Sequence, residues 1–462
     1  MIEIIVIDTP TLGDRSYLAH DGTAAVVIDP QRDIDRVLGV ADSRGVRITH
    51  VFETHVHNDY MTGGLALARE TGAAYHVNAA DHVAFDRVGI RDGDVIEASP
   101  ALRVRVLATP GHTFTHLSYA LEPPGQPAAV FTGGSLLYGS TGRPDLLGAT
   151  HTVALARAQY ASAHRLAAEL PGQAAVYPTH GFGSFCSVTE AKGDASTIGR
   201  ERRSNPVFTL SEQEYVETLL AGLDAYPAYF ARMGPANAVG PAEPNLSPPR
   251  RAAAAELRRR IGAGEWVVDV RTRTAFAAGH VAGTLNFGLD GSLASHLGWL
   301  IPWHAPLTLL GETSGQVAEA QRELVRIGIE RPAAAATGGP AEWAGGRPLR
   351  SFRVADFAAL AAARSVRRQR SVTVLDVRRD LEWAQSHIDG AIHIPLHQLR
   401  ARLHELPDGE AWVHCHSGYR ASIAASILDA AGHAVVAVDD GYDRAATAGL
   451  PLISGTPDVP AA

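Results

Sequence analysis

Apolar residues in the first half of the chain come in short, β-branched runs bounded by turn residues. Ala24–Ile28, Val46–Phe52 and Leu102–Ala108 each read as a buried strand, since runs of this length and composition suit a pleated core better than a helical stripe. Asp33–Arg44 and Gly64–Thr71 carry helical patterning between them, and such alternation predicts an α/β sandwich. Met1–Asp8 reads as a first strand and not as a signal peptide, because no basic segment precedes a long apolar run. Ser211–Arg232 predicts a helix, and Gly234–Pro249, dense in Pro, Ala and Asn, predicts a linker.

Beyond the linker the pattern repeats. Val267-Val268-Asp269-Val270-Arg271 answers Val374-Leu375-Asp376-Val377-Arg378, and Gly279-His280-Val281-Ala282-Gly283 answers Ser386-His387-Ile388-Asp389-Gly390 at the same offset. Each copy reads as strand, helix, His-x-x-Gly, strand, then a later strand and helix. The layout predicted is a domain over 1–240, a linker over 241–249, and two small α/β domains over 250–348 and 349–462. The length of 462 residues suits about three domains of ordinary size.

Chemistry gathers at the strand ends. Thr54-His55-Val56-His57-Asn58-Asp59-Tyr60 follows one strand, Thr109-Pro110-Gly111-His112-Thr113 another, and Pro178-Thr179-His180 a third. Alternating histidines on a loop can aim two rings at one point, and with His112 they make a candidate site for a borderline cation, Zn²⁺ or Fe²⁺. His55, His57, His112 and Asp59 are the leading ligand candidates, with His180 and His116 behind them; His116 is read as packed or hydrogen-bonded. Asp29 ends a strand before Pro30, a place for a turn or cap residue. Arg143, in a Gly-rich loop, would face a substrate carboxylate, the reading favoured here, or pair with Asp145. Cys186 is read as a small buried hydrophobe in preference to a redox thiol.

These motifs resemble the metallo-β-lactamase superfamily, over roughly residues 1–240 and most closely its persulfide dioxygenase and glyoxalase II branch. Thr54–Asp59, Pro110–Thr113, Val130–Gly133, Gly142-Arg143 with Asp145, and Pro178–His180 carry the likeness. Two positions depart from it: Tyr60 stands where the second-site His is expected, and Gly134 where the bridging Asp is expected. The resemblance implies one metal, Fe(II) with Zn(II) as the alternative, and an Asp at the place of Asp29 that supports the histidines, beside the reading of Asp29 as a turn cap. Gly134 implies a carboxylate from elsewhere, a site of three imidazoles, or a weak site.

In the second repeat Trp412–His414 reads as a strand, Cys415-His416-Ser417-Gly418-Tyr419-Arg420 as a loop and Ala421–Ala431 as a helix. A thiol held at a helix N-terminus beside a guanidinium sits in a positive field that favours thiolate and persulfide. His416, Ser417, Gly418 and Tyr419 would form the cradle, with Cys415 and Arg420 catalytic. Both copies resemble the rhodanese domain, and four residues between Cys and Arg suit sulfur transfer where related phosphatases have five. In the first copy Gly311 takes the position of Cys415 and Gln316 that of Arg420, so no catalysis is assigned to it.

Together the resemblances imply a sulfur-metabolism enzyme. A mononuclear metal site would oxidise a small thiol persulfide to sulfite, and Cys415 would exchange sulfane sulfur with thiosulfate, sulfite or a thiol. The alternatives are a zinc thioester hydrolase, or an N-terminal scaffold beside an active sulfurtransferase. A net charge of −8 leaves no basic stripe for nucleic acid. Arg251 and Arg258–Arg260, like Arg367, Arg368 and Arg370, read as solvated helix faces, and Lys192 is the lone lysine. With no apolar run of membrane-spanning length and only two cysteines, a reducing cytoplasm is expected, with no membrane partner and a homo-oligomer left open.

Overall fold

The computed structural model describes residues 1–187, 193–366 and 372–455. Lys192 and the run Arg367, Arg368, Arg370 lie outside the described residues. The chain divides into two compact units, Met1–Asn245 with Leu324–Glu330, and Leu246–Glu323 with Arg331–Ala462.

The first unit is a four-layer αβ/βα sandwich. One sheet runs in chain order through β1 (Glu3–Thr9), β2 (Asp14–His20), β3 (Ala24–Ile28), β4 (Arg47–Phe52), β5 (Ala74–Asn78) and β6 (Val88–Ile90). The other places β7 (Val95–Glu97), β8 (Arg103–Ala108), β9 (Leu117–Leu121), β10 (Ala129–Gly133), β11 (Ala175–Pro178) and β12 (Ser196–Thr197) in the order β12-β11-β10-β9-β8-β7. Strand alternation sorts the layers. Val26, Ile28 and Phe52 meet Val104, Tyr119 and Phe131 between the sheets, while Val27 and Val51 turn outward with Val37 and Leu67 of the covering helices. The helix Thr152–Glu169 covers the other sheet through Ala156, Ala163 and Leu166, which pack with Val130 and Val176.

Two expectations change here. Ser211–Arg232 is not one helix but two, Glu212–Ala221 and Phe230–Val239, because the first stops at Gly222 and Pro227 lies between them. The second runs into the start of the stretch read as linker, over residues 234–239, and its Asn237 side chain is buried.

The second unit holds both repeats as parallel sheets. The first is β14-β13-β15-β16, built from β13 (Trp266–Asp269), β14 (Leu285–Asn286), β15 (Leu307–Leu310) and β16 (Ala334–Ala336). The second is β17-β22-β21-β18-β20, from β17 (Arg353–Ala355), β18 (Thr373–Asp376), β20 (Ile392–His393), β21 (Glu410–His414) and β22 (Ala434–Val438); β19 (His387–Ile388) pairs separately with β23 (Leu452–Ile453). Asp269 pairs in register with Leu310 and Asp376 with His414, so Gly311 and Cys415 stand at equivalent strand ends. Arg260, read as part of a solvated face, is instead turned in, bonded to Glu256 and Glu265.

Candidate functional site

Strands β3, β4, β8, β10 and β11 deliver their C-terminal residues to one place. Asp29, which follows β3, is fully buried and adopts φ +52°, a left-handed conformation uncommon for a residue with a side chain. It accepts from the Thr54 backbone N–H at 2.7 Å, from Thr54 Oγ1 at 2.8 Å and from Thr179 Oγ1, and its Oδ1 lies 3.1 Å from His57 Nε2. One carboxylate thus fastens the residues flanking His55 and His180. Burial alone would raise its pKa, but His57 and these hydrogen bonds hold it below the ordinary carboxylate value.

Four imidazoles are buried around this anchor: His55, His57, His112 and His180. The hydrogen bonds assign their tautomers. His112 Nδ1 is 2.8 Å from the Arg143 carbonyl, which can only accept, so Nδ1 carries the proton and Nε2 a lone pair. The Thr54 hydroxyl gives its proton to Asp29, so it accepts from His55 Nδ1 at 2.9 Å and leaves His55 Nε2 as a lone pair too. His180 Nδ1 lies 2.9 Å from Asp14 Oδ1. Burial, then the charge of His180, pushes His112 down to about 3, and burial with the neighbouring imidazoles holds His55 well below its usual value.

The Nε2 atoms of His55, His112 and His180 have no hydrogen-bond partner among the described residues, nor does His57 Nδ1, while Asp59 Oδ2 lies 3.1 Å from His180 Nδ1. Buried polar atoms are seldom left so, since each costs about 1–3 kcal/mol. Ligand atoms of His55, His112 and His180 lie within 4.8 Å of one another, and so do those of His57, Asp59 and His180, and of Asp29, Glu53 and His57. Imidazoles with Nδ1 committed and Nε2 without a partner fit a divalent metal, which at His180 would take the place of the proton that Asp59 and Asp14 favour there.

The remaining candidates fall differently. His57 turns Nε2 toward Asp29, Glu53 (3.3 Å) and the Tyr60 hydroxyl (3.0 Å); burial would lower it, but the two carboxylates raise it to about 9. His116 has both nitrogens in use, Nδ1 with Thr109 Oγ1 and Nε2 accepting from the Gly134 N–H, so it holds the turn rather than a metal. Arg143 does not face a substrate. It is buried, bonded at 2.7 and 2.8 Å to Asp145 and donating to the Phe185 and Asp224 carbonyls, so the internal pair replaces the substrate role favoured from sequence. Cys186 is fully buried; burial and the charges of Asp59 and Asp14 push its thiol well up, consistent with a packed side chain.

Three contributors escaped the sequence reading. Asn237 donates to the His57 and Tyr60 carbonyls, both at 2.8 Å, and accepts from the Thr62 N–H at 3.0 Å. Glu53 and Asp14 orient His57 and His180. Helix propensity hides the first, and nothing local in sequence marks the others. A cavity of about 350 Å³ adjoins the loops, lined by Val56, Asn58, His82, Thr113, Phe114 and Leu147 among others.

In the second unit Cys415 is buried where β21 meets the helix Tyr419–Ala430, and its Sγ accepts from the Gly418 N–H at 3.2 Å. Gly418 has φ +93°, and a Cβ there would meet Asp439 Oδ1 at 2.0 Å, so the turn requires glycine. His416 and Ser417 are exposed. Tyr419 offers its backbone to the loop, but its hydroxyl donates to the Gly288 carbonyl of the first repeat at 2.8 Å, so its side chain leaves the cradle. Arg420 is bound bidentately by Glu382 at 2.6 and 2.7 Å. The Asp376–Arg378 pair recurs as Asp269–Arg271 in the copy without a thiol, which marks it as architectural. In that copy Gln316 Oε1 accepts from the Glu312 N–H.

A Rhodanese-like domain model matches residues 359–447. Among curated relatives, the mitochondrial persulfide dioxygenase ETHE1 of Homo sapiens is 31% identical over 214 residues, covering 46% of this chain and 75% of that protein. The hydroxyacylglutathione hydrolase of Polaromonas sp. is 33% identical over 161 residues, 34% of this chain and 57% of that protein, so the chain spans little more than half of that relative. A crystal structure of a metallo-β-lactamase from Staphylococcus aureus subsp. aureus COL superposes with TM-score 0.65 at 26% identity, covering 73% of this chain and 99% of that one. The likeness in sequence therefore meets the sandwich, the buried histidines and the Cys415 loop on the same residues, and the chain belongs to the metallo-β-lactamase superfamily, in its persulfide dioxygenase and glyoxalase II branch, with a rhodanese-like domain in its C-terminal half.

Proposed function

We propose that this chain oxidises a low-molecular-weight thiol persulfide to sulfite in its first unit and moves sulfane sulfur through Cys415 in its second, in a reducing cytoplasm. The observation that carries the reading is the pairing, on one chain, of a buried cluster of unpartnered imidazole nitrogens with a thiol seated on the Gly418 amide. The overall conversion, persulfide with O₂ and water to thiol, sulfite and two protons, balances without a further reductant. A divalent metal, iron in this reading, would supply Lewis-acid and one-electron chemistry. The protein's part is to hold His55, His112 and His180 through Thr54, the Arg143 carbonyl and Asp14, and to admit the substrate from the cavity at Val56 and Phe114.

At the second site the Cys415 thiolate attacks the outer sulfur of thiosulfate; the S–S bond breaks, sulfite leaves with the electron pair, and Cys415 keeps the sulfur as a persulfide. The reverse transfer, onto sulfite, makes thiosulfate. The Gly418 amide faces the charge on sulfur, and Arg420, fixed by Glu382, faces the loop from the helix. The sulfite made by one reaction is an acceptor for the other, which gives the fusion a chemical reason.

The second reading, zinc-dependent thioester hydrolysis, is favoured by the convergence of His55, His112 and His180, since three imidazoles suit catalytic zinc. Metal analysis of the full chain with O₂ uptake on glutathione persulfide separates the two. Iron with uptake supports the dioxygenase, and zinc without uptake supports the hydrolase. For the second site, Cys415→Ser is expected to abolish thiosulfate:cyanide sulfur transfer, and retained transfer would overturn the assignment.

A further inference from the structure

We propose that the first repeat, although it has no thiol of its own, positions the Cys415 loop, and that Arg273 is the residue through which it does so. This rests on reading Cys415 as the reactive thiol of the second unit, and concerns which residues hold it ready.

Arg273 opens the helix Arg273–Ala278 of the first repeat, and its guanidinium bridges two carboxylates. Its Nε lies 2.9 Å from Asp439 Oδ1 and its Nη1 2.6 Å from Asp290 Oδ2. Burial opposes this charge, but Asp439 and Asp290 outweigh it and hold the guanidinium above its ordinary value. Each carboxylate in turn abuts a glycine whose backbone serves the loop. The Asp439 oxygen that Arg273 holds is the one that leaves no space for a Cβ on Gly418, and the Gly418 N–H is the donor to Cys415 Sγ. Asp290 Oδ1 likewise fills the place of a Cβ on Gly288, and the Gly288 carbonyl accepts from the Tyr419 hydroxyl. One guanidinium thus backs both Gly418 and the acceptor of its neighbour Tyr419.

The first repeat also grips the helix that begins at the loop. The Tyr419 ring rests against Gly291, where a Cβ would overlap it, and stands T-shaped to His296 with centroids 5.4 Å apart. Burial and the charge of Asp290 hold its hydroxyl well above the usual value, so it remains a donor. Farther along the helix, Ser426 Oγ accepts from the Asn286 N–H at 3.0 Å, and Asp429 Oδ2 lies 3.0 Å from His280 Nε2.

The frame common to both repeats does not explain Arg273. At the offset that relates Asp269 to Asp376, its counterpart is Asp380, of opposite charge. The guanidinium belongs to the contact with the thiol loop and not to the shared fold. It keeps the Gly418 amide aimed at Sγ. It also compensates the Asp439 carboxylate, which would otherwise set an unpaired negative charge behind a loop that must hold a thiolate.

Arg273→Gln in the full-length chain tests this at Cys415 itself. Alkylation by iodoacetamide, followed by intact mass and located by peptide mapping, needs no sulfur donor. Its rate at Cys415 is expected to fall at least about threefold at neutral pH, since thiolate is the attacking form. Sulfur transfer from thiosulfate to cyanide should fall at least about tenfold per folded molecule, as when a backbone donor is displaced from developing charge. Arg273→Lys, which returns the charge without the fork, should recover part of both rates. Urea denaturation gives the folded fraction of each variant. Unchanged alkylation and transfer in folded Arg273→Gln, whether or not it is destabilised, would overturn the proposal. Should Arg273→Gln not fold, Arg273→Lys carries the same comparison: partial slowing supports the role and native rates refute it. A chain whose Cys415 alkylates but moves no sulfur ends the sulfur-transfer reading, and the alkylation rates still decide the role of Arg273.

Discussion

Arg420 places both Nη atoms on the Glu382 carboxylate, at 2.6 and 2.7 Å, so the guanidinium that follows the Cys415 loop is already half of an ion pair. Burial would raise the Glu382 carboxyl, but the hydrogen bonds and charge of Arg420 hold it down at about 2, against 4.5 ordinarily. A carboxyl whose pKa is depressed in the folded state contributes stability that is present above its unfolded value. That contribution is lost as pH falls through the folded one. Acid unfolding followed between about pH 4.5 and 2 should therefore be steeper in the native protein than in Glu382→Gln. At neutral pH the same substitution should cost about 1–3 kcal/mol by urea denaturation, between the values for exposed and buried pairs.

Asn237 ties the His57–Tyr60 loop from a helix far along the chain. Asn237→Ala leaves the His57 and Tyr60 carbonyls and the Thr62 N–H without their buried partner. A loss of about 2–4 kcal/mol is expected, from one to three unmet groups at this depth. Metal release to a chelator should quicken in parallel, and a variant with unchanged stability and release would contradict the tie.

The two repeats offer an internal control. Asp269–Arg271 and Asp376–Arg378 are buried pairs of the same geometry, with closest contacts of 2.7 and 2.6 Å. Asp269→Asn and Asp376→Asn should each destabilise the second unit by about 3–5 kcal/mol, the cost of stranding a buried guanidinium. Sulfur transfer per folded molecule should persist in both, measured with thiosulfate and cyanide. A selective loss in Asp376→Asn alone would give that pair a role in the chemistry.

Gly418→Ala tests the loop itself. The positive φ and the approach of Asp439 leave no space for a methyl group, so a cost of about 1–3 kcal/mol is expected. The amide that bonds Cys415 Sγ would move with it, and the yield of Cys415 persulfide after thiosulfate treatment, read by intact mass, should fall.

Short-range pattern controls one part of this protein. β-branched runs end in His-x-His, Gly-His and Thr-His, because buried strands must stop in polar turns and those turns carry the ligands. The repeat is legible since Asp269 and Asp376 close the same motif, and the Cys415 loop since its glycine and arginine stand at fixed spacing on a strand-to-helix turn. The tertiary structure decided the rest, because hydrogen bonds and sterics across the sandwich join residues remote in sequence. Arg143 was legible as a cation but not as one claimed by Asp145 and two carbonyls. His57 was legible as an imidazole, but only the positions of Asp29 and Glu53 show which nitrogen it turns inward. Motif spacing reports which groups are present, and the direction of each lone pair follows from partners that only the folded chain brings near.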